Sequence, residues 1–294
     1  MPTIYIATTG NDTTGNGTEG SPYLTKQKAH DVASSGDTIQ CAAGTYAAET
    51  FTITKTITVQ GATGYTGEPT TIFNGAADYV NITGDGITVI FNDCKMTSQS
   101  QLSHSDAGWC HVTNTTVLNT LNLVRCVFRG QIIEMDGAGR GGIVHMGNPG
   151  GGNAGITVNF TNCLFDSQVV NTNNSTDGFL VSAGANSGTL TLTFTGCTWY
   201  FATGTVPTNL IKAPFMGMTI TSKNSIWNNA SGTNIAWKGG ETATSSYSCF
   251  YTNWTDLPTL GTGDIQVDPL FISPSTQNFN LRPTSPCIDT GVLI

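Results

Sequence analysis

Charge is scarce in this sequence. Only 10% of its 294 residues are Asp, Glu, Lys or Arg, and eleven basic residues against nineteen acidic ones leave a net charge of −8. No run of Lys or Arg reverses that sign locally, which argues against a nucleic-acid partner and against attachment to anionic lipid. Also missing is any apolar stretch of the roughly 18 residues that a membrane-spanning helix needs. The start, Met1-Pro2-Thr3-Ile4-Tyr5-Ile6, has neither the basic n-region nor the apolar h-region of a signal peptide, so no export address is expected. Cysteine is plentiful, at eight, yet C-x-x-C spacing is absent and the four histidines do not accompany the thiols. No metal centre is therefore expected from them. Helical composition is lacking too, because Gly, Thr, Asn and Ser dominate, residues suited to turns and to neutral strand surfaces.

What the chain does have is a repeat. Cys94-Lys95-Met96, Cys126-Val127-Phe128, Cys163-Leu164-Phe165, Cys197-Thr198-Trp199, Ser225-Ile226-Trp227 and Cys249-Phe250-Tyr251 each place a small residue two positions before a large one. Residues two apart on a strand share a face, so each copy contributes one small and one large side chain to the same side. The copies are separated by 32, 37, 34, 28 and 24 residues, which implies a fixed stretch of strand beside a loop of variable length. Such a pattern specifies a solenoid whose stacked units share one core. Equivalent positions in adjacent coils lie about 4.8 Å apart, so the small residues form an inward, unbridged column. Ser225 in place of one cysteine fits that reading, since a chain that paired these thiols would strand a partner.

Other strand segments fall before each copy, for example Ile87-Thr88-Val89-Ile90-Phe91 and Leu121-Asn122-Leu123-Val124. Each coil thus has about three strands, and parallel strands joined by loops rather than crossover helices mean a β-helix. Residues 1–36 read as an N-terminal strand, loop and capping helix, 37–257 as the coils and 258–294 as a C-terminal capping segment, all one structural domain. The helix is predicted to start at Ser21 as N-cap with Pro22 at its first position and to stop at Gly36, with Leu24, Ala29, Val32 and Ala33 facing the sheet end.

The segments Tyr5-Ile6-Ala7-Thr8-Thr9-Gly10-Asn11-Asp12, Ser21-Pro22-Tyr23, Gly36-Asp37-Thr38-Ile39, Gly44-Thr45-Tyr46 and Ile57-Thr58-Val59-Gln60-Gly61 resemble the N-terminal cap of the right-handed parallel β-helix, pectate-lyase-like superfamily. The tail segments Asp268-Pro269-Leu270-Phe271, Asn278-Phe279-Asn280-Leu281 and Ser285-Pro286-Cys287-Ile288-Asp289-Thr290-Gly291 resemble its usual ending. The resemblance implies an all-β, single-stranded right-handed parallel β-helix with a short capping helix. It leaves activity open, because that superfamily holds polysaccharide lyases, hydrolases, epimerases, adhesins and phage spike or decoration proteins. Relatives usually carry apolar residues where Lys26 and His30 stand, so those two groups are expected to be solvated on a shifted helix, with contact to another chain as the alternative.

By the same resemblance, lyases of this fold work in a groove on an outer sheet face with a Lys or Arg base and often calcium. No coil-to-coil stack of Asp with Lys is evident here. The remaining catalytic candidates are Glu134 and Asp136, which share a face if they lie on a strand, with Arg140, His111 and His145 nearby. Ordinary solvated residues on long corners are the competing explanation. Trp109, Trp237 and Trp254 are candidates for stacking on sugar rings, whereas Trp199 and Trp227 belong to the inward register of Phe128 and Phe165. No cofactor is expected; Asn11-Asp12 are the residues a calcium ion would use, and turn formation explains them equally well.

The leading expectation is a non-enzymatic structural or adhesive protein, most concretely a virion-surface component such as a phage capsid decoration or fibre protein. Its partners would be other virion proteins, itself as a homotrimer by family analogy, and cell-surface glycans. It would sit on a virion or outside a cell. The alternatives are an extracellular polysaccharide lyase or glycosidase, and a carbohydrate-binding adhesin without turnover.

Overall fold

The computed structural model describes residues 2–64, 67–74, 79–97, 109–112, 116–130, 132–135, 143–146, 154–166, 169–172, 181–183, 188–201, 209–211, 218–232, 235–238, 242–288 and 291. Alternating sequences such as Asn119–Val124 bury every second side chain, and strands of this kind recur in a fixed order. One strand joins a first sheet, the next a second and the next a third, after which the cycle restarts. The first coil comprises Thr38–Cys41, Gly44–Tyr46 and Thr50–Ile53, and the eighth Thr242–Ser246, Cys249–Tyr251 and Trp254–Thr255. Strands of successive coils pair in parallel, and Thr3–Ile6 adds a ninth strand to the first sheet beside Thr38–Cys41. The protein is an all-β parallel β-helix, with one α-helix among the described residues. An extra parallel pair, Ile132–Met135 with Val169–Thr172, is inserted between the second and third sheets of the fourth and fifth coils.

The corner between the first and second sheets explains the small-residue column. Asp93, Arg125, Asn162, Gly196, Asn224 and Tyr247 sit there in left-handed conformation, with φ between 51 and 64°. That conformation reverses the chain in one step and is tolerated best by Gly, Asn and Asp. The next residue then points inward at the tight bend, where only a small side chain fits. Cys94, Cys126, Cys163, Cys197 and Ser225 occupy the position and are buried. The thiols of Cys126, Cys163 and Cys197 donate to the carbonyls of Phe91, Leu123 and Phe160 one coil back, at 3.3, 3.2 and 3.4 Å. Each is a weak bond, repeated with the coil.

In the last coil the register differs from the one predicted. Cys249 pairs with Ile226 and Phe250 with Trp227, so Ser248 takes the column position and Tyr251 falls on the other face opposite Asn228. Ser248-Cys249-Phe250 therefore repeats Ser225-Ile226-Trp227. Ser248 accepts from the Ser225 amide at 3.3 Å, as Ser225 accepts from the Cys197 amide at 3.1 Å, a role for which the hydroxyl is the better acceptor. Two positions along, Tyr46, Phe73, Met96, Phe128, Phe165, Trp199, Trp227 and Phe250 form an unbroken inward row. Phe128 and Phe165 stack at 5.2 Å between centroids, and Trp199 follows Phe165 at 5.1 Å.

Two of the tryptophans predicted to be exposed are in this core. Trp109 packs edge-on between Phe91 and Phe128, and Trp237 meets Trp227 edge-on at 5.1 Å, fully buried. Trp254 is half-buried, and its indole N–H donates to the Trp227 carbonyl at 3.0 Å. None of the three offers an open ring with a free N–H edge to a sugar.

The helix is shorter than predicted, Lys26–Val32, with Thr25 as N-cap, because Thr25 Oγ1 accepts from the Lys28 amide at 3.1 Å. Asp12 holds the chain before it by accepting from the Leu24 and Thr25 amides and the Thr25 hydroxyl. This start moves the buried stripe. Lys26, Ala29, His30 and Ala33 face the coils, while Leu24 and Val32 are exposed. Lys26 is 1% and His30 2% exposed, contrary to the expectation that both are solvated. The Lys26 ammonium lies 4.3 Å from the Phe73 ring centre and 3.3 Å from Glu49, so two partners offset its lost hydration. His30 accepts from the Thr54 amide at 3.3 Å. Burial lowers its pKa, as does the nearby Lys55 charge, against a smaller opposing pull from Asp31. The helix thus closes one end of the stack with a matched Lys26 and a His30 bonded through Nε2, its Nδ1 lying 3.7 Å from Asp31 Oδ1.

Glu49→Gln keeps an acceptor for the Lys26 amide and removes the counter-charge of its ammonium. We expect it to cost about 2–4 kcal/mol in urea unfolding, with most of the loss recovered in the Lys26→Met, Glu49→Gln double variant. A loss below about 0.5 kcal/mol in the single variant would contradict the buried ion pair.

Candidate functional site

Two outer faces carry the polar side chains from which a site could be built. On the third sheet, Thr52, Asn81, His111, His145 and Ser182 follow one another in register on adjacent strands. Cys110 and Val112 on either side of His111 are buried, so His111 faces the outer side, where it is half-buried. The sequence candidates His111 and His145 thus occupy neighbouring rungs. Glu134 lies in the inserted strand Ile132–Met135, opposite Asn171, and Asp136 and Arg140 lie outside the described residues. Hence two of the five catalytic candidates are brought together.

The second face is a groove on the outside of the second sheet. Val127, Leu164 and Thr198 form its floor, Arg125, Arg129 and Glu68 one side, and the segment Thr276 to Asn280 the other, around about 610 Å³. The far wall exists because the C-terminal chain folds back as the hairpin Phe271–Ser273 with Asn278–Leu281. Phe271 and Phe279 clamp the outward Tyr200 ring, at 6.1 and 5.2 Å between centroids.

The groove's charges are tied to one another. Arg129 Nε donates to Asp166 at 2.8 Å and its other arm to Glu68 at 2.6 Å, while Lys95 approaches the same Glu68 oxygen at 3.5 Å. Arg125 makes a bidentate bond to Asp93, both contacts 2.7 Å. That bond, with help from Gln60 and against the effect of burial, holds the Asp93 carboxyl below its usual range. Burial, and then the Asp166 charge, push the Tyr200 phenol up. A guanidinium bridged to two carboxylates can orient a polar ligand, but it is a poor proton acceptor.

These residues were not anticipated, although the repeat marks them. Thr97, Arg129, Asp166, Tyr200 and Asn228 each stand at one outward position of the second sheet, three places after the column residue. Arg129 above Asp166 is therefore the acid–base stack that a search for Asp with Lys passes over. Among the described residues no three His, Cys, Asp or Glu side chains gather as a metal site. The sequence candidates for calcium are occupied otherwise: Asn11 accepts from the Thr13 and Thr14 amides, and Asp12 from Leu24 and Thr25.

No protein-family model and no curated protein matches the sequence. Solved structures with a similar chain path include a rhamnogalacturonan lyase, at 14% identity and a TM-score of 0.47 over 86% of this chain and 69% of that one. A pectin methylesterase from Aspergillus niger gives 13% identity and 0.46 over 90% and 83%. Pectate lyase Pel9A gives 13% and 0.38 over 90% and 67%. The fold assignment rests on the strand order and register above.

Arg129→Ala removes the guanidinium bonded to Asp166, which is 1% exposed, and should cost about 3–5 kcal/mol in urea unfolding. Arg125→Ala removes a half-exposed arginine from Asp93, which is 6% exposed and keeps its bond from Gln60, and should cost less, about 1–3 kcal/mol. Equal losses would show that burial does not set the value of these pairs. A second expectation concerns acid. Asp93 has a folded pKa below its reference of 3.8, so its bonds stabilise the fold above that pH and the contribution disappears as pH falls through the folded value. The stability gap between wild type and Asp93→Asn, followed from pH 6 downward, should hold above about 4 and close below it.

Proposed function

We propose that the protein is a non-enzymatic structural or adhesive β-helix, most concretely a virion-surface component such as a capsid decoration or fibre protein, meeting other coat proteins or glycans. The observation that carries this reading is the employment of cationic groups within the fold. Arg129, Lys95 and Arg125 are paired with Glu68, Asp166 and Asp93, Lys26 with Glu49, and Lys55 with the helix-end carbonyls of His30 and Ala33. A lyase needs a base with an accessible lone pair beside a substrate carbon, and groups held this way serve the rod instead. A neutral surface rich in Thr and Asn supports the reading, as does a body bonded along its length by backbone pairs, which resists unfolding and proteolysis. Where the chain meets glycans, the groove fits best: an apolar floor with Arg, Asn and Gln around it suits hydroxylated ligands.

The second reading, a polysaccharide-active enzyme, is favoured by one feature, the pairing of His111 with His145 in register on adjacent strands. Helices long and apolar enough to cross a membrane are absent among the described residues, in keeping with either reading.

Incubation with uronic-acid polymers and neutral glycans is expected to release neither unsaturated product nor new reducing ends, and mass spectrometry should find the chain in purified virus particles. Turnover abolished by His111→Ala or Glu134→Gln would instead establish the enzyme. Finding the chain only as a free protein would remove the virion assignment.

A further inference from the structure

Cys249 differs from the inward thiols. Its neighbours Ser248 and Phe250 face the core, so its side chain leaves the outer face of the second sheet, yet it is 3% exposed because the C-terminal segment covers it. Ile265 continues the sheet beside it: the Phe250 amide donates to the Ile265 carbonyl at 3.0 Å and the Ile265 amide to the Ser248 carbonyl at 2.9 Å. The Cys249 thiol donates to the Val267 carbonyl at 3.1 Å. Cys287, half-buried, arrives over the same spot from the tail, fixed by its amide bond to Ser285 Oγ at 3.1 Å, while Ser285 Oγ donates to the Pro269 carbonyl at 2.6 Å. The two side chains line one cavity of about 540 Å³ with Ile226, Ile265 and Leu281.

We propose that Cys249 and Cys287 form a disulfide that fastens the C-terminal segment to the outer face of the last coil when the protein meets an oxidising environment. Their chemistry is already divided. The neighbouring Cys249 thiol, joined by the Ser285 hydroxyl and opposed by burial, lowers the Cys287 pKa, whereas the Cys287 neighbour and burial raise the Cys249 pKa. Thiols of the interior are pushed the other way by burial, Cys41 to about 12. Cys287 is also the more accessible of the two, half-buried where Cys249 is 3% exposed, so it is the attacking thiol and Cys249 the resolving one.

With a small disulfide such as oxidised glutathione as oxidant, the Cys287 thiolate attacks one of its sulfurs, and one glutathione thiolate leaves and takes up a proton. Cys249 then gives its proton to water, and its sulfur displaces the second glutathione from Cys287. Two protein thiols are oxidised, and one small disulfide is reduced to two thiols. The bridge closes the chain between 249 and 287, most of the C-terminal cap, into a covalent loop.

The test uses the full reduced chain, treated with oxidised glutathione, denatured and alkylated. Alkylated thiols should fall from eight to six, and a chymotryptic map should contain a peptide pair joined through Cys249 and Cys287. Cys249→Ser should stop at a glutathione adduct on Cys287, and Cys287→Ser should keep all of its thiols. Eight alkylated thiols in the wild type, a bridge between any other pair, or a persistent adduct at Cys287 with Cys249 present would overturn the proposal. The wild-type map decides the matter even if a variant does not fold.

Discussion

Everything in this molecule depends on one coil lying over the next without slippage. A parallel strand buries an alternating set of side chains, and a shift of one residue would turn that set outward, so register must be held at every rung. Here it is held by the corner between the first and second sheets. The left-handed residue bends the chain, and the small residue after it reaches the carbonyl one coil back, so the same side chain marks the bend and the distance to its neighbour. Gly196 shows how tight the corner is: a Cβ there would stand 2.3 Å from Asn162 Oδ1. Arg125 tolerates the same conformation while its guanidinium is held by Asp93, the corner residue of the coil before.

A stack built in this way has two open ends, and the ends need different answers. The N-terminal end is closed by a helix whose buried face includes Lys26 and His30, groups that cost free energy unless matched. Matching requires Glu49, Phe73 and Thr54 to be in place, so the helix can dock in one orientation only. At the other end the chain adds a further bridge at Ile265 and then turns back along the outside of the second sheet. The price is a covered face: outward positions such as Tyr200 and Cys249 are overlaid by the tail, and Tyr200 is clamped by its aromatic rings.

Legibility in the sequence followed period. Inward positions repeat in residue type, and the coils, the three strands per coil and the aromatic row from Phe128 to Trp227 could be read from spacing. Where a type changed, reading by type failed: Cys249 was matched to the earlier cysteines although Ser248 continues Ser225. Trp237 and Trp109 read as candidates for stacking on sugars, yet they fill the space beside the aromatic row. Lys26 is expected in water because an unpaired buried ammonium is costly, and its partners Glu49 and Phe73 come from distant strands and loops that the helix sequence does not reveal. Outward charges stayed hidden for another reason. Arg129 and Asp166 are 37 residues apart, and only the coil register makes them neighbours.

That register also bears on what the outside of the rod can do. When an outward position recurs at the spacing of adjacent strands, like charges at successive rungs would repel and opposite charges attract, so the sequence of residues at that position is constrained along the whole stack. At the outer position of the second sheet the order is Thr97, Arg129, Asp166, Tyr200, Asn228: one cation, one anion, then neutral groups. Glu68, brought from a neighbouring loop, supplies the remaining negative charge to Arg129. The groove is consequently fixed in shape and nearly neutral in its paired charges. Such a groove presents a fixed contour and fixed hydrogen-bonding groups, and its paired cations could exchange a proton only by leaving their carboxylate partners.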